Sequence, residues 1–172
     1  MSMAPPLKPL SGEPLSPNIR LSQPLSLEKM QRLAAGDEAA ESYVLDLLSS
    51  LQAADEEIRA GAADALQSIA HLPSEWASQV SQCCGHTNPA VAAAACRLVS
   101  KLGEQATPFQ AAVVECLTQH PDISARQQAA LWLGSIPQLS PESRMALERA
   151  ALSDDPRLKR LAQTALSKCS AE

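Results

Sequence analysis

The chain has 172 residues, a formal charge of −5 and 45% hydrophobic residues, but only four aromatic rings (Tyr43, Trp76, Phe109 and Trp132). That length is most simply one domain, and the lack of β-branched runs argues against a sheet. No apolar run approaches a membrane span, no basic-then-apolar leader is visible, and an acidic surface disfavours nucleic acid.

Residues 1–24 hold six of the 13 prolines: Pro5, Pro6, Pro9, Pro14, Pro17 and Pro24. Proline removes a backbone donor and pushes the preceding residue out of the helical region. The sequence therefore predicts a flexible, partly polyproline-like tail over 1–24, followed by one domain over 25–172. Charge along the domain is uneven. Positions 37–75 carry nine acidic residues against Arg59 alone, a balance of −8, whereas positions 76–172 carry eight acidic and nine basic residues, a balance of +1.

In chain order, the first helix is expected over 26–35, with Leu27, Met30 and Leu33 on one side. Gly36 and Asp37 turn the chain into a second helix over 43–51, with which the first should pair. Asp55 then opens the run DEEIRAGAADALQSI. After a helix over 76–84, Asn88 opens NPAVAAAACRLVSKL. A helix over 109–117 precedes DISARQQAALWLGSI from Asp122, and a helix over 143–152 precedes DPRLKRLAQTALSKC from Asp155.

These four runs are copies of one unit. Asp55, Asn88, Asp122 and Asp155 are N-caps, each able to accept from orphan amides of the first turn, and Pro89 and Pro156 follow at the first helical position. Three residues after each cap stands an apolar anchor, Ile58, Val91, Ala125 or Leu158, spaced 33, 34 and 33 apart. From each anchor, apolar residues recur at offsets 4, 7, 8 and 11, one stripe of an α-helix. Eleven residues before each anchor, Leu47, Val80, Val114 and Leu147 mark the core side of the intervening helices. Thr107–Pro108 and Ser140–Pro141 read as cap-plus-proline starts, and Gly103, Pro73 and Pro137 as breaks.

The pattern D-x-x-[VIL]-R-x-x-A-A-x-A-L resembles the first helix of a HEAT repeat, in its short bacterial form. Asp55, Ile58, Arg59, Ala62, Ala63 and Leu66 carry the best match, and Asp122, Ala125, Arg126, Ala129, Ala130 and Leu133 another. The second copy departs, with Asn88 for Asp and Ala92 for Arg. The resemblance covers roughly residues 26–170. It implies an all-α, right-handed superhelix (an α-solenoid) of about four helix pairs, ended by a capping helix with Arg157, Lys159, Arg160 and Lys168 on its polar side. It further implies an Asp/Arg ladder between repeats, broken at the second copy.

Residues able to carry chemistry read more simply as structure. His86 and His120 share one repeat position, five residues before the anchor, so stacking could bring them together. No Cys-x-x-Cys or His-x-x-x-His spacing supports metal ligation, and all three histidines, His71 included, fall at helix C-termini, where an imidazole meets the negative dipole end. Cys83, Cys84, Cys96, Cys116 and Cys169 lie in helical patterns as buried, reduced thiols, which points to a cytoplasmic chain. Trp132 occupies a core offset, and Trp76 aligns with Tyr43 as a half-buried ring. No nucleophile–base order or phosphate loop appears.

The expected function is therefore a non-enzymatic interaction or scaffold module, monomeric and without cofactor. Its surface, by the resemblance, is built from the second helix of each pair. Glu41, Asp46, Ser49, Trp76, Gln79, Gln82, Val113 and Arg149 line the expected surface. Asp46, Gln79, Val113 and Ala146 form one exposed row, and Ser49, Gln82, Cys116 and Arg149 the next. A basic protein or peptide is the expected partner. Bilin-lyase-like HEAT enzymes or chaperones share only the repeat pattern. HEAT-like metal hydroxylases would need paired His-Glu motifs, and HEAT-like DNA glycosylases a basic surface; the chain has neither.

Overall fold

The computed structural model describes residues 25–136 and 138–169, with the side chain of Cys169 left aside. The tail expected over 1–24 lies outside the described residues. Those residues form nine α-helices and no strand. The odd-numbered helices are α1 (Leu27–Ala35), α3 (Glu56–Ser68), α5 (Pro89–Ser100), α7 (Ile123–Leu133) and α9 (Pro156–Cys169). Between them stand α2 (Val44–Ser50), α4 (Ala77–Gln82), α6 (Gln110–Gln119) and α8 (Pro141–Ala150). Short 3-10 turns lead into α2, α4 and α6, and another, Cys83–Gly85, follows α4.

The caps form as expected. Asp55 Oδ1 accepts from the Glu57 amide at 2.8 Å, Asn88 Oδ1 from Ala90 at 2.9 Å, Asp122 Oδ1 from Ser124 at 2.8 Å and Asp155 Oδ1 from Leu158 at 2.6 Å. Each such bond contributes about 1 kcal/mol by satisfying an otherwise orphan donor. Ser26 and Ser140 cap α1 and α8 through their hydroxyls. Gly36, at φ 82°, closes α1 with its amide on Leu33 O, while the Asp37 amide reaches Arg32 O at 3.0 Å. That left-handed position favours glycine. Thr107 does not cap α6. Its hydroxyl donates to Glu104 O at 3.1 Å inside a 3-10 turn, and α6 begins only at Gln110.

Among the described side chains the apolar stripe is buried along all four copies, with Ile58, Trp132 and Leu166 half-buried at its edges. Helix pairing differs from expectation. Each even-numbered helix packs on the odd-numbered helix after it: α2 on α3, α4 on α5, α6 on α7 and α8 on α9. The connections inside these pairs are short, which makes antiparallel neighbours. Helix α1 packs on α3 rather than on α2. Odd-numbered helices also stack on one another, α1 on α3, α5 on α7 and α7 on α9, and α6 stacks on α8. At one step this fails: α5 takes α2 as its neighbour, and α3 does not pack along it. Helix α9 ends the array with Arg157, Lys159, Arg160 and Lys168 exposed.

The arginines do not form an Asp/Arg ladder. Arg59 Nη1 donates to Ala53 O and Ala54 O at 2.7 and 2.8 Å, and Arg126 Nε donates to Leu117 O at 2.9 Å. The guanidinium fork satisfies carbonyls left open at the end of the preceding helix. One inter-repeat side-chain bond instead runs from Gln127 Nε2 to Asp155 Oδ1 at 3.0 Å. A buried cluster also ties α6 to α8: Gln110 Nε2 donates to Gln138 O, while Gln110 Oε1 accepts from the Ser140 amide and the Ser143 hydroxyl, both at 2.8 Å.

Close helix approach sets the core. A Cβ on Gly134 would meet Ala165 Cβ at 2.6 Å and its Cα at 2.9 Å. A Cβ on Gly61 would meet only side-chain atoms of Leu27 and Met30, at 3.3–3.4 Å. Gly134→Ala should push α9 off α7 and cost about 1–3 kcal/mol. Gly61→Ala should cost less, since helix propensity returns about 1 kcal/mol. Urea unfolding of the two variants checks this, and equal midpoints would contradict it.

Candidate functional site: a groove beside helix α5

Because α3 stands off from α5, an open groove of about 480 Å³ lies between them. Its walls are Ala63, Leu66 and Gln67 of α3, Ala90, Ala93, Ala94 and Arg97 of α5, and Gln128 and Trp132 of α7, with Leu51 at the end of α2. The alanine run of the second copy explains the space: small side chains on the outward face of α5 reach nothing across it. Trp132 is half-buried: it packs against the core, as its repeat offset implies, and its open side lines the groove. Arg97 is half-buried too, and burial lowers its pKa. Among the described residues its guanidinium meets no carboxylate; the ion pairs there join Glu38 to Lys29 and Arg32. A charged donor half out of water and without an acceptor favours a ligand that supplies one.

The surface expected from the even-numbered helices is only partly available. Gln79, Gln82 and Arg149 are exposed, and Glu41, Asp46, Ser49 and Trp76 are half-buried. Val113 is fully buried, as are Cys116 and Ala146 in the same rows. The exposed ridge therefore stops at α6. Its physical cause is the α6–α8 stack held by Gln110, which turns Val113 inward and leaves Val114 half-buried. Sequence reasoning missed Ala90, Ala93, Ala94 and Arg97. The signal was present: offset 6 from the anchor, held by Arg97, is Asp64, Leu131 or Thr164 in the other copies, and α5 alone has a four-alanine run.

Stacking does bring the two histidines together, as an organic clamp. His120 Nδ1 accepts from the Asp122 amide at 3.1 Å, so Nε2 carries the hydrogen that it donates to His86 O at 3.0 Å. His86 Nδ1 accepts from the Asn88 amide at 3.0 Å. Both rings thus cap turns between helices, and His71 is exposed beyond α3. Among the described residues no group of three His, Cys, Asp or Glu is placed to hold a metal ion.

The described thiols are buried. Burial pushes Cys83 up to about 11. Cys116 favours the Cys96 thiolate, but the Cys84 thiol and burial outweigh it and hold Cys96 well above the usual range. Hydrogen bonding to Cys96, then burial, raise Cys116. Thiols held protonated are poor nucleophiles. A smaller pocket of about 110 Å³ beside Cys116 and His120 exposes mainly loop and helix-end residues.

No family model matches the chain, and no curated protein matches it.

Burial lowers the pKa of His86, His120 adds to the depression, and the Asn88 contact opposes it. A histidine depressed in the fold contributes stability that is complete above its unfolded value of 6.5 and is lost as pH falls toward its folded pKa. The melting temperature should therefore drop on going from about pH 7 to about pH 5. His86→Gln should show a shallower slope over that interval; identical slopes would contradict the assignment.

Proposed function

We propose that this chain is a non-catalytic interaction module, a short HEAT-like α-solenoid with right-handed superhelical stacking that holds an extended peptide. The 33-residue spacing, the repeated caps and the serial packing of odd-numbered helices support the repeat reading. Each repeat buries its stripe only against its neighbours, as in quasi-one-dimensional arrays. The buried, free thiols fit a reduced, cytoplasmic setting.

One observation carries the binding reading: an open groove lined by alanines, with a half-buried Trp132 and an Arg97 that meets no carboxylate among the described residues. Tryptophan and arginine are the side chains that most often anchor partners. Arg97 and the Trp132 indole are donor-only groups, while Gln67 and Gln128 can donate or accept, so the groove favours a partner that presents backbone carbonyls or carboxylates. That chemistry differs from the basic partner expected from net charge. The thiols and buried histidine are committed to core and turn contacts, so what the groove offers is binding rather than bond chemistry.

Selection of displayed random peptides on the full chain tests this. Enriched sequences should combine apolar residues with proline or acidic residues. Trp132→Ala and Arg97→Ala should each weaken their binding by about tenfold, near 1.4 kcal/mol, with Arg97→Ala leaving the melting temperature unchanged. Peptides that bind both variants as well as the parent would overturn the reading.

A further inference from the structure

We propose that two molecules of this chain pair through the outward face of α8, antiparallel and about a two-fold axis that passes between Glu148 and Arg149, in place of the monomer expected from the sequence. The inference stands apart from the groove reading. Helix α8 contributes nothing to the groove's walls, so either can fail without the other.

The starting point is an apolar pair where the repeat does not need one. Helix α8 buries Ser143, Ala146, Leu147 and Ala150 and turns its opposite side to solvent. On that side stand Met145, 54% exposed, and Leu152, 83% exposed in the turn that ends the helix. They are the two most exposed large apolar side chains among the described residues. Seven residues separate them, so they lie on one line along the helix. In the other three even-numbered helices the equivalents of Met145 are Leu45, Ser78 and Ala112, and those of Leu152 are Gln52, Gly85 and Gln119. Leu45 packs against the core. The repeat's own packing therefore does not account for Met145 and Leu152.

Between them, on the same side, stand Glu148 and Arg149, both exposed. The order Met145, Glu148, Arg149, Leu152 reads apolar, acid, base, apolar, with spacings of 3, 1 and 3. Reversed, that pattern is its own complement, as a two-fold contact between identical surfaces requires. Two α8 helices laid antiparallel with Met145 opposite Leu152 of the second molecule also set Glu148 opposite Arg149. The axis repeats each contact, so one register supplies two apolar contacts and two opposite-charge contacts. Sliding by one helical turn sets Met145 or Leu152 against a charge and separates the ions. Charge complementarity thus selects a second molecule of this chain as the occupant, because an unrelated partner has to bring the same pattern. The overlap spans residues 145–152 of each chain, roughly 12 Å of helix. A contact that small belongs to the weak, transient class.

Sedimentation equilibrium of the full chain between about 10 µM and about 1 mM tests this, and the average mass should rise toward that of two chains. Leu152→Glu should hold it at one chain throughout. Glu148→Arg alone and Arg149→Glu alone should each weaken pairing about tenfold, since the axis doubles every change and sets like charges face to face. Mixed in equal amounts, these two variants should pair with each other as tightly as the parent pairs with itself, because every charge then meets its opposite. All three positions are exposed, so melting temperatures should match the parent's and separate loss of pairing from loss of folding. A single mass up to about 1 mM would overturn the proposal. Pairing that none of the variants changes would also overturn it, since another surface would then be the source. So would a mixture of the two charge variants that pairs no better than either does alone.

Discussion

Close approach of one odd-numbered helix to the next is the constraint on which the rest depends. With one phenylalanine and two tryptophans, the chain cannot fill wide gaps with rings. It fills its core by bringing helices together over alanine: Ala62, Ala65, Ala95, Ala129, Ala162 and Ala165 are all buried. Gly134 against Ala165 marks the limit, where no room remains for one more carbon. Dispersion and apolar burial then act over many short contacts. The same economy of side chains has a cost wherever two helices do not close up. At the α3–α5 step there is nothing large enough to fill the space, and the groove is the result.

Much of the fold was legible from the sequence because its determinants are local. A cap residue, the proline after it and an apolar residue at a fixed offset act within one helix, so Asp55, Asn88, Asp122 and Asp155 could be read directly. What was not legible depends on neighbours. Val113 was expected on the surface because α6 was taken to share the orientation of the earlier even-numbered helices. Gln110 and its bonds to the α8 entry turn that helix inward instead. Arg59 and Arg126 were expected to pair with aspartates of the next repeat, yet open helix-end carbonyls lie nearer. Trp132 sits at a core offset, and only the withdrawal of α3 leaves it half-exposed.

The groove and the clamps beside it follow from the same departure of the second copy. Ala92 lacks the arginine that secures the preceding turn in the first and third copies. In its place His86 caps the turn and His120 reaches back to the His86 carbonyl. The alanine run that accompanies this change gives α5 an outward face without reach, and Arg97 is the one charged group left on it within the groove. Structural irregularity and candidate binding surface therefore coincide in one repeat. The regular repeats around it hold their polar groups in caps and inter-helix bonds.

The central claim is that α3 stands off from α5 while the other odd-numbered helices are closely stacked. Pulsed electron-spin distance measurement tests it directly, with nitroxide residues incorporated at the repeat-equivalent positions Asp64, Arg97, Leu131 and Thr164, two at a time. The account predicts a longer distance for the Asp64–Arg97 pair than for Arg97–Leu131 or Leu131–Thr164. Three equal distances would mean an evenly stacked array with no groove at α5, and would contradict it.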